Sequence, residues 1–338
     1  MRIRKLSAAF LSLVTTISIF TVSLPLTGYA QTSNSLSPSD LESRLSSIES
    51  QLKEKQKELG IPGVSLAIVK DGKVILSKGF GYKNFEKKIP VTADTQFAIG
   101  SATKAFTGLA TLISQDEGKL SLDDSPKKYI PYFKINDPDI DKNIQIRDLL
   151  CHSSGLNRTD LGWITGKLNE EEIIRVAGEA KPMAGLRKQF FYQNVMFLAA
   201  GEIVGSVQKM PWEKVIETKI FTPLGMKNST TSVSQMRKAK DFSFGYEYNF
   251  DTKQTRYLPT REISAIAPAG SINSSSNDMA KWLQFILGGG EANGKQLVSK
   301  AGFDEWLKPQ MKVTPNGSVS YGFGWFLQEW KGKKVVQH

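Results

Sequence analysis

Leu41, Leu45, Ile48 and Leu52 recur at helical spacing in a stretch otherwise rich in Lys and Glu. That pattern predicts an amphipathic helix. Ser39-Asp40-Leu41-Glu42 reads as its capping box, and Gly60 and Pro62 close it. The period then shortens. Apolar residues over 64–69, the pair Asp71-Gly72 and a second apolar run over 74–76 predict a β-hairpin with a tight turn, with Gly79, Gly81 and Pro90 marking its exit. A long middle region predicts helices at about 101–117, 170–180, 194–208, 211–219 and 277–287. Strand character returns at 321–330 and 334–337, linked by Lys331-Gly332-Lys333.

Strands at both ends with helices between them predict an α/β (α+β) fold. Its antiparallel sheet is built from both termini, about 40–100 and 300–338, with flanking helices. A mostly helical sub-domain fills about 101–299, and an active site is expected in the cleft between the two.

The first thirty residues depart from this pattern. Met1-Arg2-Ile3-Arg4-Lys5 is basic, 6–24 is largely apolar, and Gly28-Tyr29-Ala30 is a small-x-small site before Gln31. This predicts a signal peptide over 1–30, a polar Ser-rich lead over 31–39, and an exported protein, periplasmic or secreted. An uncleaved anchor is the competing reading; Pro25 and Gly28 end the apolar run without a basic flank. No other apolar run is long enough to cross a bilayer.

Composition narrows the function classes. Of 338 residues, 40% are hydrophobic and 23% charged, as in a globular domain. The net charge is +11; without the three basic residues of the leader it is +8, spread along the chain. A mildly basic exported protein suits an anionic cell-wall or envelope surface, and no nucleic-acid motif is present. Cys151 is the single cysteine, and there are two histidines. This excludes an internal disulfide and leaves too few soft ligands for a structural zinc, so neither metal nor cofactor is expected. Cys151 reads as a small buried side chain.

The chemistry begins at Ser101-Ala102-Thr103-Lys104. A serine hydroxyl is a weak nucleophile without a base in reach, and residues three apart on a helix share a face. S-x-x-K matches start at Ser50, Ser101, Ser125 and Ser206; only Ser101 follows an apolar segment ending in glycine and opens a small-residue helix. The competing reading is an N-cap serine beside a solvated lysine. Tyr192-Gln193-Asn194 offers a third group. A tyrosine near two cations is expected to have its pKa lowered enough to act as a base, and an asparagine offers a donor and an acceptor to a substrate amide. An aromatic packed at a helix start and an asparagine N-cap are the alternatives. Asp160 and Glu170 are candidate water-activating acids that also suit solvated positions, and His152 reads as a structural residue bonded to local backbone.

These segments carry a resemblance. Residues 97–104, Asp148-Leu149-Leu150-Cys151-His152-Ser153-Ser154-Gly155-Leu156 and Phe191-Tyr192-Gln193-Asn194 are similar, in order, to the serine β-lactamase and penicillin-binding protein superfamily. Pro223-Leu224-Gly225-Met226, Pro268-Ala269-Gly270-Ser271, Asn277-Asp278-Met279-Ala280 and Tyr321-Gly322-Phe323-Gly324-Trp325 continue the match. The chain resembles the branch of class C β-lactamases, D-alanyl-D-alanine carboxypeptidases and related esterases. The resemblance implies a β-lactamase/transpeptidase-like fold and an acyl-enzyme serine hydrolase acting on an ester, a D-Ala-D-Ala-like peptide or a β-lactam. It implies Ser101 as nucleophile, Lys104 as its activating partner, Tyr192 as proton shuttle and Asn194 as substrate-amide contact. His338 then stands first in the third motif of the family, facing the serine, where a C-terminal residue without a role is the alternative. The family pattern continues past that position with a small residue, a glycine, further strands and a helix, so the chain as given is expected to be inactive. A histidine there, mostly neutral near pH 7, favours an esterase or peptidase over a true β-lactamase. A non-hydrolysing peptidoglycan- or penicillin-binding receptor is the alternative function.

Overall fold

The computed structural model describes residues 37–338; the expected leader and most of the polar lead lie outside the described residues. The chain divides into two units, 1–46 and 47–338. Helix α1 spans Pro38–Glu58. In the first unit its start is capped two residues earlier than expected: the Ser37 hydroxyl accepts from the Asp40 N–H at 3.1 Å, in place of Ser39. In the second unit the helical stripe is only partly covered, with Ile48 40% exposed.

The hairpin follows as β1 (Gly63–Lys70) and β2 (Lys73–Asn84), antiparallel, with β3 (Ile89–Pro90) at the edge. Asp71 and Gly72 both adopt positive φ, which the tight turn requires. Gly79 and Gly81 lie inside β2 and do not end it. The chain at Val91 crosses so close that a Cβ on Gly79 would sit 2.3 Å from the Val91 carbonyl oxygen.

Strand β4 (Phe97–Ala98) leads through a 3-10 turn, Gly100–Ala102, into α2 (Thr103–Asp116). Residues 103 to 114 are all buried, so α2 is the central post of the second unit. Around it stand α4 (Asn194–Gln208), the helical turn Ala267–Gly270 and α6 (Lys300–Trp306); α3 (Glu170–Gly178) packs on α4. The small residues of α2 let neighbours approach closely. Thr107 Oγ1 donates to Pro268 O at 2.7 Å and accepts from Trp212 Nε1 at 3.1 Å, so its hydroxyl is satisfied inside the core. Phe106 stacks on Trp282 at 3.8 Å, and Trp306 and Trp325 extend the aromatic cluster. The helix expected at 211–219 is α-helical over Trp212–Ile216 and then widens to a π-turn over Glu217–Phe221.

A second hairpin, β5 (Tyr246–Asn249) and β6 (Gln254–Tyr257), was not expected. Next come β7 (Asn273–Ser274), paired with β4, and α5 (Ser276–Leu287), which packs on β1 and β2. The last ladder is β8 (Met311–Lys312), β9 (Val319–Tyr321), β10 (Phe326–Trp330) and β11 (Lys333–Gln337).

The antiparallel strands contributed by both ends form two ladders, β1 to β3 and β8 to β11, with no rung between β1 and β11 among the described residues. One expectation is corrected here. The strand expected over 321–330 is broken at Gly322–Trp325, where the backbone folds down onto α2. Gly324 has φ +95, and a Cβ there would lie 2.5 Å from the Ala105 nitrogen and 2.6 Å from the Lys104 carbonyl carbon. Gly324→Ala is therefore expected to combine backbone strain with overpacking and to cost about 3 kcal/mol or more. Denaturant unfolding measures it; a change below about 1 kcal/mol would contradict this contact.

Candidate active site

Ser101 lies in the 3-10 turn, half-buried, and Lys104 lies in the first turn of α2, fully buried. The three-residue spacing brings Lys104 Nζ to 3.2 Å from Ser101 Oγ. The same nitrogen donates to Ala269 O at 2.7 Å and to Asn194 Oδ1 at 2.9 Å. Burial pushes its pKa well below the ordinary lysine value; the Arg158 charge adds to this and Asp160 opposes it. The solvated-lysine alternative is thereby excluded.

Tyr192 lies two residues before the start of α4, next to its N-cap Gln193. Its ring centroid is 4.8 Å from Lys104 Nζ. Burial pushes its pKa up to about 12, against the smaller lowering effects of the Ser101 hydroxyl and Arg158. This reverses the expectation of a lowered pKa: desolvation of the phenolate outweighs the nearby cations, so Tyr192 is a neutral phenol.

The phenol lies 3.1 Å from His338 Nε2. His338 Nδ1 lies 2.6 Å from Gly324 O, an acceptor, so Nδ1 carries the hydrogen and Nε2 takes the Tyr192 O–H. Burial holds the His338 pKa down at about 3, with the Lys104 charge adding to it. The ring is neutral, and the strand β11 that ends beside it sets its place.

Asn194 is the first residue of α4 and is 7% exposed. Its Oδ1 faces Lys104 and its Nδ2 donates to Asp160 Oδ1 at 3.1 Å. Both ends of the amide are thus engaged by the protein. The N-cap of α4 is Gln193, whose side chain accepts from the Val195 N–H.

The structure therefore gathers Ser101, Lys104, Tyr192, Asn194 and His338 in one place. Glu170 stands instead in the first turn of α3, where its charge acts on Glu202. Asp160 is not a free acid: it accepts from Arg158 Nε at 2.6 Å and Trp163 Nε1 at 2.9 Å as well as from Asn194.

Sequence reasoning missed the brace behind Tyr192. His152 sits at φ +60, fully buried, and its Nδ1 accepts from the Gln193 N–H at 3.1 Å while its carbonyl accepts from the Phe191 N–H. The backbone it holds is forty-one residues away rather than local. Its ring packs 4.4 Å from that of Tyr192. Arg187 donates twice to Asp148, which also caps its own helix, and so pins the loop that carries His152. The signal was the isolated histidine between a helical stretch and Ser153-Ser154-Gly155. Cys151 is buried as expected, its thiol pKa pushed up to about 12 by burial.

A buried core helix that presents Ser-x-x-Lys at its start, between antiparallel ladders and a helical layer, is the arrangement of the β-lactamase/transpeptidase fold. The chain belongs to the beta-lactamase family, whose model matches residues 48–338. It is similar to Protein flp of Staphylococcus aureus strain MW2, 34% identical over 233 residues, covering 67% of this chain and 46% of that one. Protein flp of strain NCTC 8325 / PS 47 matches at 34% over 234 residues with the same coverage. The chain spans about half the length of these curated relatives. The solved octameric penicillin-binding protein homologue from Pyrococcus abyssi superposes with a TM-score of 0.78 at 32% identity, covering 87% of this chain and 67% of that one.

Proposed function

We propose that the protein is an exported serine hydrolase that forms an acyl-enzyme at Ser101 on an ester, amide or β-lactam carbonyl. The observation that carries this reading is the environment of Lys104. Burial lowers the Lys104 pKa and so favours its neutral form, an amine with two N–H groups and one lone pair. Ala269 O and Asn194 Oδ1 accept hydrogens and have none to give. They take both N–H groups, and the lone pair is left for the third neighbour, Ser101 Oγ. Lys104 is then the base for Ser101.

In this reading Ser101 Oγ attacks the carbonyl carbon and its proton passes to Lys104 Nζ. In this reading the Ser101 N–H, in the 3-10 turn ahead of α2, donates to the developing oxyanion. Collapse breaks the scissile bond, and the proton reaches the leaving group through the neutral Tyr192 hydroxyl. Water then releases the acyl group. A neutral His338 bonded to Tyr192 anchors a substrate carboxylate less well than a lysine would, which supports an esterase or peptidase.

The direct test is to treat the full-length protein with a fluorophosphonate or fluorescent penicillin and map the labelled peptide. A label elsewhere than on the peptide holding Ser101 overturns the assignment. A penicilloyl adduct that never turns over favours a receptor over a hydrolase.

The labelling rate also has an expected pH dependence. Below the lowered pKa of Lys104 the amine is charged and its lone pair is lost. The rate falls with falling pH along that limb, which lies well below the ordinary lysine range. A midpoint near 10.4, the ordinary lysine value, would contradict a buried neutral base.

Export is proposed from residues 1–30. The mature chain is expected to begin at Gln31, checked by N-terminal sequencing of protein from the secreted or periplasmic fraction. Retention of Met1 in a membrane fraction would favour the anchor.

A further inference from the structure

We propose that Asp160 is a positioning residue for the Ser101–Lys104 pair, fixing which end of the Asn194 amide meets the lysine. The inference rests on the reading of Ser101 as nucleophile.

The two ends of an asparagine amide are nearly the same shape, so only hydrogen bonding decides which way it points. A carboxylate accepts hydrogens and donates none. Asp160 Oδ1, at 3.1 Å, therefore selects the Nδ2 end of Asn194 and turns Oδ1 toward Lys104 Nζ. With the amide reversed, Nδ2 would present hydrogens to the lysine. The neutral amine would then spend its lone pair on Asn194, and Ser101 would lose its base. Asp160 thus keeps the lone pair free by acting through Asn194, the one residue between it and the lysine.

Asp160 is itself held. Arg158 Nε donates to Oδ2 and Trp163 Nε1 to Oδ1, and the Asp160 side chain is 18% exposed. The Arg158 guanidinium lies 5.7 Å from the Tyr192 ring centroid, so the same ion pair borders the shuttle. The titratable and charged groups that act on Lys104 or feel its charge are Arg158, Asp160, His152 and His338, with Tyr192 alongside it. Asp160 is the one anion among them.

The test is the rate of Ser101 labelling by a fluorophosphonate in the full-length protein, measured across pH. In Asp160→Asn the carboxamide accepts either amide end, and the rate at neutral pH is expected to fall about tenfold or more. Its acid limb moves to lower pH, because the anion that favours charged Lys104 is gone. Added to Asn194→Ala, the same substitution is expected to cost less than about twofold, as groups acting as one unit do. Trp163→Phe removes one bond to Asp160 while keeping an apolar ring, and gives a smaller loss in the same direction. It serves if Asp160→Asn fails to fold. A purely structural role would lower the fraction of protein that labels, but would leave the rate of that fraction and its pH limb unchanged; that result overturns the proposal. So do losses in Asp160→Asn and Asn194→Ala that simply multiply. A wild-type label that maps away from Ser101 overturns the underlying reading instead, and the peptide map separates the two failures.

Discussion

Ser101→Ala is expected to abolish covalent labelling by penicillin or fluorophosphonate and to lower turnover of an activated ester by about 10⁴-fold or more. Removal of a nucleophile that works with a base as one unit has effects of this order, because the remaining groups have nothing to act through. The substitution removes one hydroxyl from a half-buried turn, so the fold is expected to persist. Lys104 keeps Ala269 O and Asn194 Oδ1 as partners. Thermal unfolding close to wild type, together with lost labelling, is the expected pair of results. Undiminished labelling would refute the site.

Lys104→Met separates chemistry from stability. Methionine fills the volume without a base, and acylation is expected to fall about 10³-fold. The stability comparison has a definite sign with pH. The folded-state pKa of Lys104 is lowered, whereas the unfolded value is near 10.4. Between the two, the unfolded chain binds one more proton than the folded one. The wild type then gains stability with rising pH relative to Lys104→Met, by about 1.4 kcal/mol per pH unit, and the gain ends above the unfolded value. Below the folded pKa the difference is flat. Denaturant unfolding of both proteins from pH 7 to 9.5 measures the slope. Parallel curves would show that Lys104 stays charged in the folded state.

What could be read in the sequence was local. The Asp71-Gly72 hairpin, the small-residue helix after Gly100 and the Ser101–Lys104 spacing depend on neighbours within a turn or two. The co-linear motifs added the family. What could not be read depends on distant segments. The break at Gly322–Trp325 was marked by Gly322-Phe323-Gly324, yet its cause is the surface of α2, more than two hundred residues earlier. The lowered-pKa tyrosine was a sound rule applied without burial, and burial decided the sign. Asp160 looked like a solvated acid because Asn194, the donor that draws it into the site beside its local partners Arg158 and Trp163, lies thirty-four residues on. Gln193 takes the cap that was the alternative reading of Asn194, whose amide instead bonds Lys104 and Asp160.

The acceptors that ready Lys104 come from positions ninety and one hundred and sixty-five residues along the chain. Loops of that length close late, after local helices and hairpins have formed. A partly folded chain can hold α2 intact and still leave its lysine wet and charged. Reactivity at Ser101 is therefore a clock for the last docking step of folding. During refolding, the onset of penicillin labelling should lag the recovery of helical signal, and the length of the lag times the arrival of α4 and the 267–270 turn against α2.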